Sequence, residues 1–282
     1  MSKGVSMIKG LLATALVFSA AGGIWLWSSS APADSQRLVL TGSSTVAPLV
    51  SEIAKEYETR NPGVRVDVQT GGSSRGIADA ARGLADVGMS SRDLKDTETS
   101  GMNSHLLARD GVAILVHADN PISNLSDEQV LGIFTGKITR WNEVGGSDAP
   151  ITVVNRADGR SEVEVFCDHF DIESEKLHAD LISGENQHGI KTVSGNKNAV
   201  IYMSVGASEY AIQAGAPLKL LEWNGVVASS ETVAAGEFPV SRSLILITPD
   251  DCAGSASDFV DFALSDDMHA LIKAQYFVPA AR

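Results

Sequence analysis

The sequence predicts an α/β fold in which parallel strands are joined by helices, and three observations lead to this prediction. Apolar residues switch repeatedly between strand spacing and helical spacing through residues 37–92, as they do in strand–helix–strand units. Further apolar, strand-like runs occur at residues 111–117, 151–154 and 243–248, with helical patterns between them. The first 33 residues are predicted to be a leader that is removed. The remaining 249 residues are enough for one or two domains.

The first block of the chain predicts three strands and two helices. A short strand at residues 37–40 precedes a helix, which we expect to end at Asn61-Pro62-Gly63. A second strand at residues 64–68 alternates valine with polar residues, and a third lies at residues 86–89. The apolar stripes of the two helices comprise Val46, Leu49, Val50, Ile53 and Tyr57, and then Ile77, Ala80, Ala81 and Leu84.

The second block begins with the buried strand at residues 111–117. A capping box at Ser126–Gln129 predicts the start of a helix that ends at Gly136. A strand at residues 151–154 leads to a helix that starts at Ser161. The strand at residues 243–248 precedes a closing helical region, which is predicted from Phe259, Phe262, Ala263 and Leu271.

The N-terminus has the pattern of a secretory signal peptide. Lys3 and Lys9 precede an apolar stretch that runs to Trp27, and small residues at Ala31 and Ala33 suit cleavage after Ala33. We therefore expect a periplasmic protein, and an uncleaved membrane anchor is the alternative. The full chain has net charge −13, and the leader removes two lysines and no acid. Such an acidic protein is not expected to bind nucleic acid or an anionic membrane surface.

The two cysteines and six histidines predict no metal site, and no cofactor motif or catalytic cluster is found. Cys167 and Cys252 are far apart in sequence and lack metal-ligand spacing. Export permits a disulfide between them, and two buried free thiols are the alternative. We therefore expect a binding protein rather than an enzyme, and we expect a monomer.

Small polar loops follow four of the predicted strands. They combine glycine, serine and threonine, and one adds two arginines: residues 41–45, 70–76, 88–92 and 155–161. Glycine lets the backbone approach a ligand closely, and the first turn of a following helix presents free N–H groups and a positive dipole end. Because ligands bind at the carboxyl ends of parallel strands, these loops predict a site for a small oxyanion.

The loops come from both blocks, so we expect the anion to lie in a cleft between two lobes that close around it. Arginine side chains would supply charge and bidentate hydrogen bonds. We expect Arg242 to form a structural ion pair instead. The candidate ligand-binding residues are Ser44, Thr45, Ser73, Ser74, Arg75, Ser91, Arg92, Arg156, Gly159, Arg160 and Ser161.

Eight segments, in order along residues 38–280, match one family: residues 42–48, 72–76, 85–92, 125–126, 133–141, 156–159, 238–242 and 259–279. With these segments the chain resembles the phosphate-binding proteins of Pst-type phosphate ABC transporters. The resemblance implies a type II periplasmic binding-protein fold with two α/β lobes, orthophosphate as ligand and a membrane permease as partner. Lobe 1 would comprise residues 36–112 and 246–282, and lobe 2 residues 113–245.

Two departures from the family pattern concern the site. The family commonly reads Gly-Ser-Gly-Thr where this chain reads Gly159-Arg160-Ser161-Glu162. Some members have an aspartate at the position of Ser91, where it accepts the proton of hydrogen phosphate. The acceptor here is open between Asp158 and Glu162. Preference for phosphate over sulfate depends on this acceptor, because sulfate has no proton to give.

Other functions fit parts of the sequence. The same site could hold another oxyanion, or the protein could sense phosphate without feeding a transporter. Residues 72–76 also fit the nucleophile-elbow pattern G-x-S-x-G, which would make Ser74 the nucleophile of a secreted serine hydrolase. That function needs a histidine base near Ser74 in the folded protein.

Overall fold

A computed structural model describes residues 36–281 of the chain. The predicted signal peptide, residues 1–33, and its cleavage site lie outside the described residues. Within residues 36–281, no helix combines the length and the apolar character that crossing a bilayer requires.

The described residues form twelve strands and nine α-helices. The strands are β1 Gln36–Gly42, β2 Val64–Thr70, β3 Val87–Ser90, β4 Met102–His117, β5 Asn124–Leu125, β6 Thr152–Arg156, β7 Leu181–Ser183, β8 Ala199–Ser204, β9 Leu218–Leu220, β10 Glu222–Trp223, β11 Ser241–Pro249 and β12 Val278–Pro279. The helices are α1 Val46–Arg60, α2 Ser73–Ala81, α3 Asp127–Phe134, α4 Ser161–Phe170, α5 Asn186–Ser194, α6 Val205–Gln213, α7 Ser230–Ala234, α8 Ser255–Ala263 and α9 His269–Ala274. The predicted α/β class is therefore confirmed.

The main sheet has the strand order β2-β1-β3-β11-β4-β8-β6-β7. Strand β1 pairs in parallel with β2 and β3, as the strand–helix alternation predicts. Strand β6 likewise pairs in parallel with β7 and β8. Strand β11 is antiparallel to both of its neighbours, β3 and β4. The sheet is therefore mixed, and its parallel parts lie on either side of β11 and β4.

The long strand β4 links two hydrophobic regions. Its first part pairs with β11 and its last part pairs with β8 and β9. Leu40, Val87 and Leu246 lie in one buried cluster with apolar residues of α1 and α8. Ile114, Phe166 and Tyr202 lie in another, with apolar residues of α3 and α4. We call the sheet part around β1, β2 and β3 with α1, α2 and α8 the first lobe, and the part around β6, β7 and β8 with α3, α4 and α5 the second lobe.

Strands β1, β2, β3 and β6 each lead into one of the polar loops. The fold brings these loops together at the carboxyl ends of the strands. Close backbone approach there requires glycine. At Gly42, φ is +139° and a Cβ atom would lie 2.1 Å from the carbonyl oxygen of Met89. At Gly72, φ is +98° and a Cβ atom would lie 2.5 Å from the carbonyl oxygen of Gly159, in the other lobe. These glycines let loops of the two lobes pack directly against each other.

Candidate functional site

Three helices begin at the predicted anion site. Helix α1 follows β1, α2 follows β2, and α4 follows β6. The first-turn N–H groups of a helix have no acceptor within the helix, and the helix dipole places positive charge there. Both lobes therefore direct positive electrostatic potential at the same place, which suits an anion.

Serine hydroxyls from both lobes meet beneath these helix starts. The Oγ atom of Ser91 lies 2.8 Å from that of Ser43, 3.4 Å from that of Ser73 and 2.5 Å from that of Ser161. All four serines are buried. Since Ser161 belongs to the second lobe and the others to the first, the hydroxyl cluster joins the lobes. A hydroxyl can both donate and accept, so the cluster suits a ligand that carries oxygen atoms and a proton.

Arg156 is the most deeply buried charge of the second lobe, with 1% of its surface exposed. Its Nη1 donates to Ser183 Oγ at 3.2 Å, and its Nη2 donates to Asn186 Oδ1 at 2.8 Å. Its Nε is buried and has no hydrogen-bond acceptor. A buried, unsatisfied N–H is costly, so this donor is available to an acceptor such as an anion.

Arg242, on β11, lies at the centre of the cluster. It forms ion pairs with Asp110 at 2.8 Å and with Glu162 at 3.1 Å, which agrees with the predicted ion-pair role. It also donates to the hydroxyls of Ser161 at 3.1 Å and Thr45 at 3.2 Å. Sequence reasoning did not include Arg242 in the site. The available signal was its place in residues 238–242, one of the segments on which the family resemblance is based.

Glu162 is a buried carboxylate held from both lobes. Its Oε1 accepts hydrogen bonds from Thr45 Oγ1 at 3.0 Å and from Arg242 Nη2 at 3.1 Å. Its Oε2 lies 3.7 Å from Arg156 Nη2. Burial alone would raise the pKa of Glu162, but the guanidinium groups of Arg242 and Arg156 outweigh burial and hold this pKa at about 2. The carboxylate is therefore charged at neutral pH.

Arg160 and Asn186 complete the second lobe's contribution. Arg160 Nη2 lies 2.8 Å from Glu185 Oε1, while its Nε and Nη1 are buried without acceptors. Asn186 Nδ2 donates to Thr45 Oγ1 at 3.1 Å, across the lobes. Asn186 is a second residue that sequence reasoning missed, because no sequence pattern connects the start of α5 with Thr45, 141 positions earlier.

Not every predicted residue reaches this cluster. Thr45, Ser73, Ser91, Arg156 and Ser161 lie in it, and Arg160 lies beside it. The side chain of Arg75 is half exposed and pairs with Asp79 at 3.0 Å, so the fold does not bring it to the site.

Other predicted residues contact the opposite lobe next to the cluster. Arg92 lies 2.7 Å from Glu98 in its own lobe and 3.0 Å from Glu164 of α4 in the second lobe. Ser74 donates its hydroxyl to the same Glu164 at 3.4 Å and its N–H to the carbonyl of Gly159 at 3.4 Å. These residues connect the lobes rather than surround the buried donors.

A cavity of about 490 Å³ adjoins the cluster and reaches it at two residues of the site. Thr45 and Asn186 contribute to its wall, and so does the predicted Ser44. Tyr210 and Phe277 form part of the apolar wall further out. The cavity lies between residues of α1, α5 and α6, and neither Arg156 nor Arg160 lines it.

The hydrolase interpretation requires a histidine base next to Ser74. Ser74 hydrogen bonds to Glu164, and within residues 36–281 no hydrogen bond joins Ser74 to any of the six histidines.

The cysteines are not paired with each other, and both are free thiols. Burial raises the pKa of the Cys167 thiol to about 11, so it is protonated and unreactive at neutral pH.

Sequence comparisons place the chain among known binding proteins. A sequence model described as a PBP superfamily domain matches residues 28–267. The phosphate-binding protein PstS of Bacillus subtilis (strain 168) is 26% identical over 291 residues, covering 99% of this chain and 95% of that protein. Phosphate-binding protein PstS 2 of Streptococcus agalactiae is 42% identical over 115 residues, covering 40% of this chain and 39% of that protein.

Solved structures agree with this placement. A phosphate ABC transporter substrate-binding protein from Clostridium perfringens, crystallised with bound phosphate, has a TM-score of 0.82 and 31% identity, covering 87% of this chain and 100% of that chain. An ABC-type phosphate transport receptor from Vibrio cholerae has a TM-score of 0.70 and 28% identity, covering 86% of this chain and 100% of that chain. The chain thus shares its fold over nearly all of the described residues with proteins of this class.

Proposed function

The chain belongs to the PBP superfamily, and from this premise we propose that it captures inorganic phosphate outside the cytoplasm and delivers it to the permease of an ABC transporter. The names and titles of its relatives support phosphate as the ligand. In its own structure, the observation that carries the proposal is a set of buried guanidinium donors without acceptors. They are Arg156 Nε and Arg160 Nε and Nη1, and they lie beside hydroxyls that both lobes supply.

In the proposed mechanism, phosphate enters while the lobes are apart. The lobe formed by residues 36–112 and 246–282 then closes on residues 113–245. Phosphate oxygens accept hydrogen bonds from Arg156, from serine hydroxyls and from the first-turn N–H groups of the three helices. Hydrogen bonds to charged groups each contribute roughly 1.5–3 kcal/mol. A few of them, after the cost of desolvation, correspond to about −8 kcal/mol, or a micromolar dissociation constant. The closed form docks on the permease.

Titration calorimetry with four oxyanions tests ligand identity. The purified protein, residues 34–282, is titrated in parallel with phosphate, arsenate, sulfate and molybdate. We expect phosphate and arsenate to bind, because both carry a proton at neutral pH, and sulfate and molybdate to bind at least roughly a hundredfold more weakly. Preference for sulfate or molybdate would overturn phosphate as the ligand. Delivery is tested separately, by phosphate-dependent stimulation of ATP hydrolysis by the reconstituted transporter.

A further inference from the structure

Asn186 forms a bridge of two hydrogen bonds between the lobes. Its Oδ1 accepts from Nη2 of Arg156 at 2.8 Å, and its Nδ2 donates to Oγ1 of Thr45 at 3.1 Å. Arg156 belongs to the second lobe, whereas Thr45 directly precedes α1 in the first. Only 4% of the surface of Asn186 is exposed, so water competes little for these bonds. The side chain that holds the arginine of the proposed anion site is therefore also in contact with the opposite lobe.

The chemistry of its partners fixes the direction of the Asn186 amide. A guanidinium only donates, so the amide oxygen must face Arg156, and the amide nitrogen is left for Thr45. Thr45 has one hydroxyl hydrogen, which it donates to Oε1 of Glu162 at 3.0 Å. The Thr45 oxygen is then left to accept, which it does from Asn186 and from Arg242. Because the amide is planar and cannot be reversed, the position of Arg156 decides where the donor for Thr45 lies.

The Asn186 side chain serves distant partners rather than its own helix. Asn186 is the first residue of α5, and the N-cap position of this helix is occupied by Glu185. The hydrogen-bond partners of the Asn186 side chain, Arg156 and Thr45, lie 30 and 141 positions away in sequence. Loss of this side chain should therefore leave α5 formed, and its effect should appear at Arg156 and in the contact between the lobes.

Ser183 provides an internal comparison, because it holds the same arginine from within the second lobe. Its Oγ accepts from Nη1 of Arg156 at 3.2 Å and donates to the carbonyl oxygen of Glu185 at 3.2 Å. The same carbonyl accepts from Arg156 Nη1 at 3.3 Å, so this nitrogen keeps an acceptor if the Ser183 hydroxyl is removed. Ser183 thus supports Arg156 without the link that Asn186 makes to Thr45.

We propose that Asn186 couples anion binding at Arg156 to closure of the lobes: it is a positioning residue that orients Arg156 for the anion and, through Thr45, stabilises the closed arrangement. While the lobes are apart, Asn186 stays with Arg156 in the second lobe and its bond to Thr45 is not formed. An anion on Arg156 fixes the guanidinium and with it the amide, so the donor for Thr45 is already oriented when the first lobe arrives. The bond to Thr45 should therefore slow release of the anion and leave its capture unchanged. This inference rests on the proposed function.

Stopped-flow fluorescence with inorganic phosphate, on the protein of residues 34–282, separates capture from release. Asn186→Ala should raise the dissociation rate roughly ten- to hundredfold and change the association rate less than about twofold. Ser183→Ala should raise the dissociation rate less than about threefold, because Arg156 Nη1 keeps the Glu185 carbonyl as acceptor. Equal effects of the two variants, or slower association with unchanged release in Asn186→Ala, would overturn the inference and leave the proposed function standing. Failure of the wild type to bind phosphate would overturn the proposed function itself.

A double-mutant cycle assigns the effect to the bond between Asn186 and Thr45. Thr45→Val removes the hydroxyl and nearly keeps the shape of the side chain. In this background, Asn186→Ala should raise the dissociation rate by a factor at least about fivefold smaller than in the wild type, because the bond is already lost. The same factor in both backgrounds would show that Asn186 acts on Arg156 alone, and it would overturn the coupling. If Asn186→Ala does not fold, the isosteric Asn186→Asp replaces it in both measurements, since it keeps an acceptor for Arg156 and removes the donor for Thr45.

Discussion

Two buried arginines carry the positive charge of the site, but different partners hold them. Arg242 is bound by two carboxylates, so most of its donors are occupied without a ligand. Arg156 is held by Ser183 and Asn186, which are neutral, and its closest carboxylate lies 3.7 Å away. Arg156 therefore keeps positive charge and an unsatisfied N–H for a ligand, whereas Arg242 mainly positions Glu162, Thr45 and Ser161.

Replacement of Arg156 tests this difference. Arg156→Ala should weaken phosphate binding by roughly 2–5 kcal/mol, because it removes a desolvated guanidinium that the anion contacts in the proposed site. Titration calorimetry measures the loss. Arg75→Ala is the control, since Arg75 is half exposed and pairs with Asp79 away from the cluster, and its affinity should match that of the wild type. Equal losses of phosphate affinity in the two variants would contradict a role for Arg156 in the site.

Acid stability reports the charge state of Glu162. Its pKa is lowered in the folded protein from 4.5 to about 2. Because the folded pKa lies below the unfolded one, the charged carboxylate stabilises the fold above the unfolded pKa, and this contribution disappears as pH falls towards 2. The shift corresponds to about 3 kcal/mol.

Urea unfolding of the protein without ligand measures this contribution. Between about pH 5 and pH 2, the wild type should lose about 3 kcal/mol more unfolding free energy than Glu162→Gln, whose amide does not titrate. At neutral pH the variant should already be less stable, because Arg242 and Arg156 lose a buried counter-charge. Parallel pH profiles for the two proteins would show that folding does not lower the pKa of Glu162.

At the scale of elements, helix α4 contacts the first lobe at a second place besides the site. Its Glu164 forms ion pairs with Arg92 at 3.0 Å and with Lys95 at 2.5 Å, and it accepts a hydrogen bond from Ser74 at 3.4 Å. These partners all belong to the first lobe, and Arg92 is buried. The contact lies outside the hydroxyl cluster, so it stabilises the closed arrangement of the lobes without touching the buried donors.

Loss of the Glu164 contact should change the rate at which phosphate is released rather than the rate at which it is captured. Glu164→Gln should raise the dissociation rate of phosphate roughly three- to tenfold, because a partly buried ion pair contributes about 1 kcal/mol to the closed form. The association rate should stay near that of the wild type, since the contact forms only after closure. Stopped-flow fluorescence of Trp141 and Trp223 separates the two rates. A slower association with unchanged release would contradict the closing role.

How far the sequence predicts each element depends on how local its signal is. Strands β1, β2 and β3 and their helices follow from spacing and loop residues that lie next to one another in the chain. The antiparallel position of β11 does not, because its partner β4 lies far away in sequence and no local pattern specifies the pairing. Leu84 shows the same limit: it fits the apolar stripe of α2, yet that helix ends at Ala81 and Leu84 is 64% exposed.

For the residues of the site, too, prediction from the sequence depends on how local the signal is. The polar loops of the site are recognisable in the sequence because each one follows a strand. They contain Thr45, Ser73, Ser91, Arg156 and Ser161. Arg242 has no such context, and its role depends on Asp110, 132 positions earlier, and on Thr45, 197 positions earlier. Such convergence appears only in the folded chain.

At the scale of the whole molecule, phosphate should stabilise the protein as a unit, because its donors in the proposed site come from both lobes. A ligand that binds only the folded state adds about 2.7 kcal/mol at a hundredfold excess over its dissociation constant. Thermal unfolding should therefore shift upward as one transition with phosphate and not with sulfate. A shift confined to one of two separate transitions would contradict a site that both lobes build.

The central claim is that donors of the two lobes surround one buried oxyanion, and a crystal structure of the protein grown with phosphate tests it most directly. We predict a tetrahedral anion within hydrogen-bond distance of Arg156 Nε and the Ser161 hydroxyl on one side, and of first-lobe hydroxyls on the other, with Glu162 in contact. Phosphate bound only at the surface, with the contacts among Thr45, Glu162 and Arg242 unchanged and no anion beside Arg156, would contradict it.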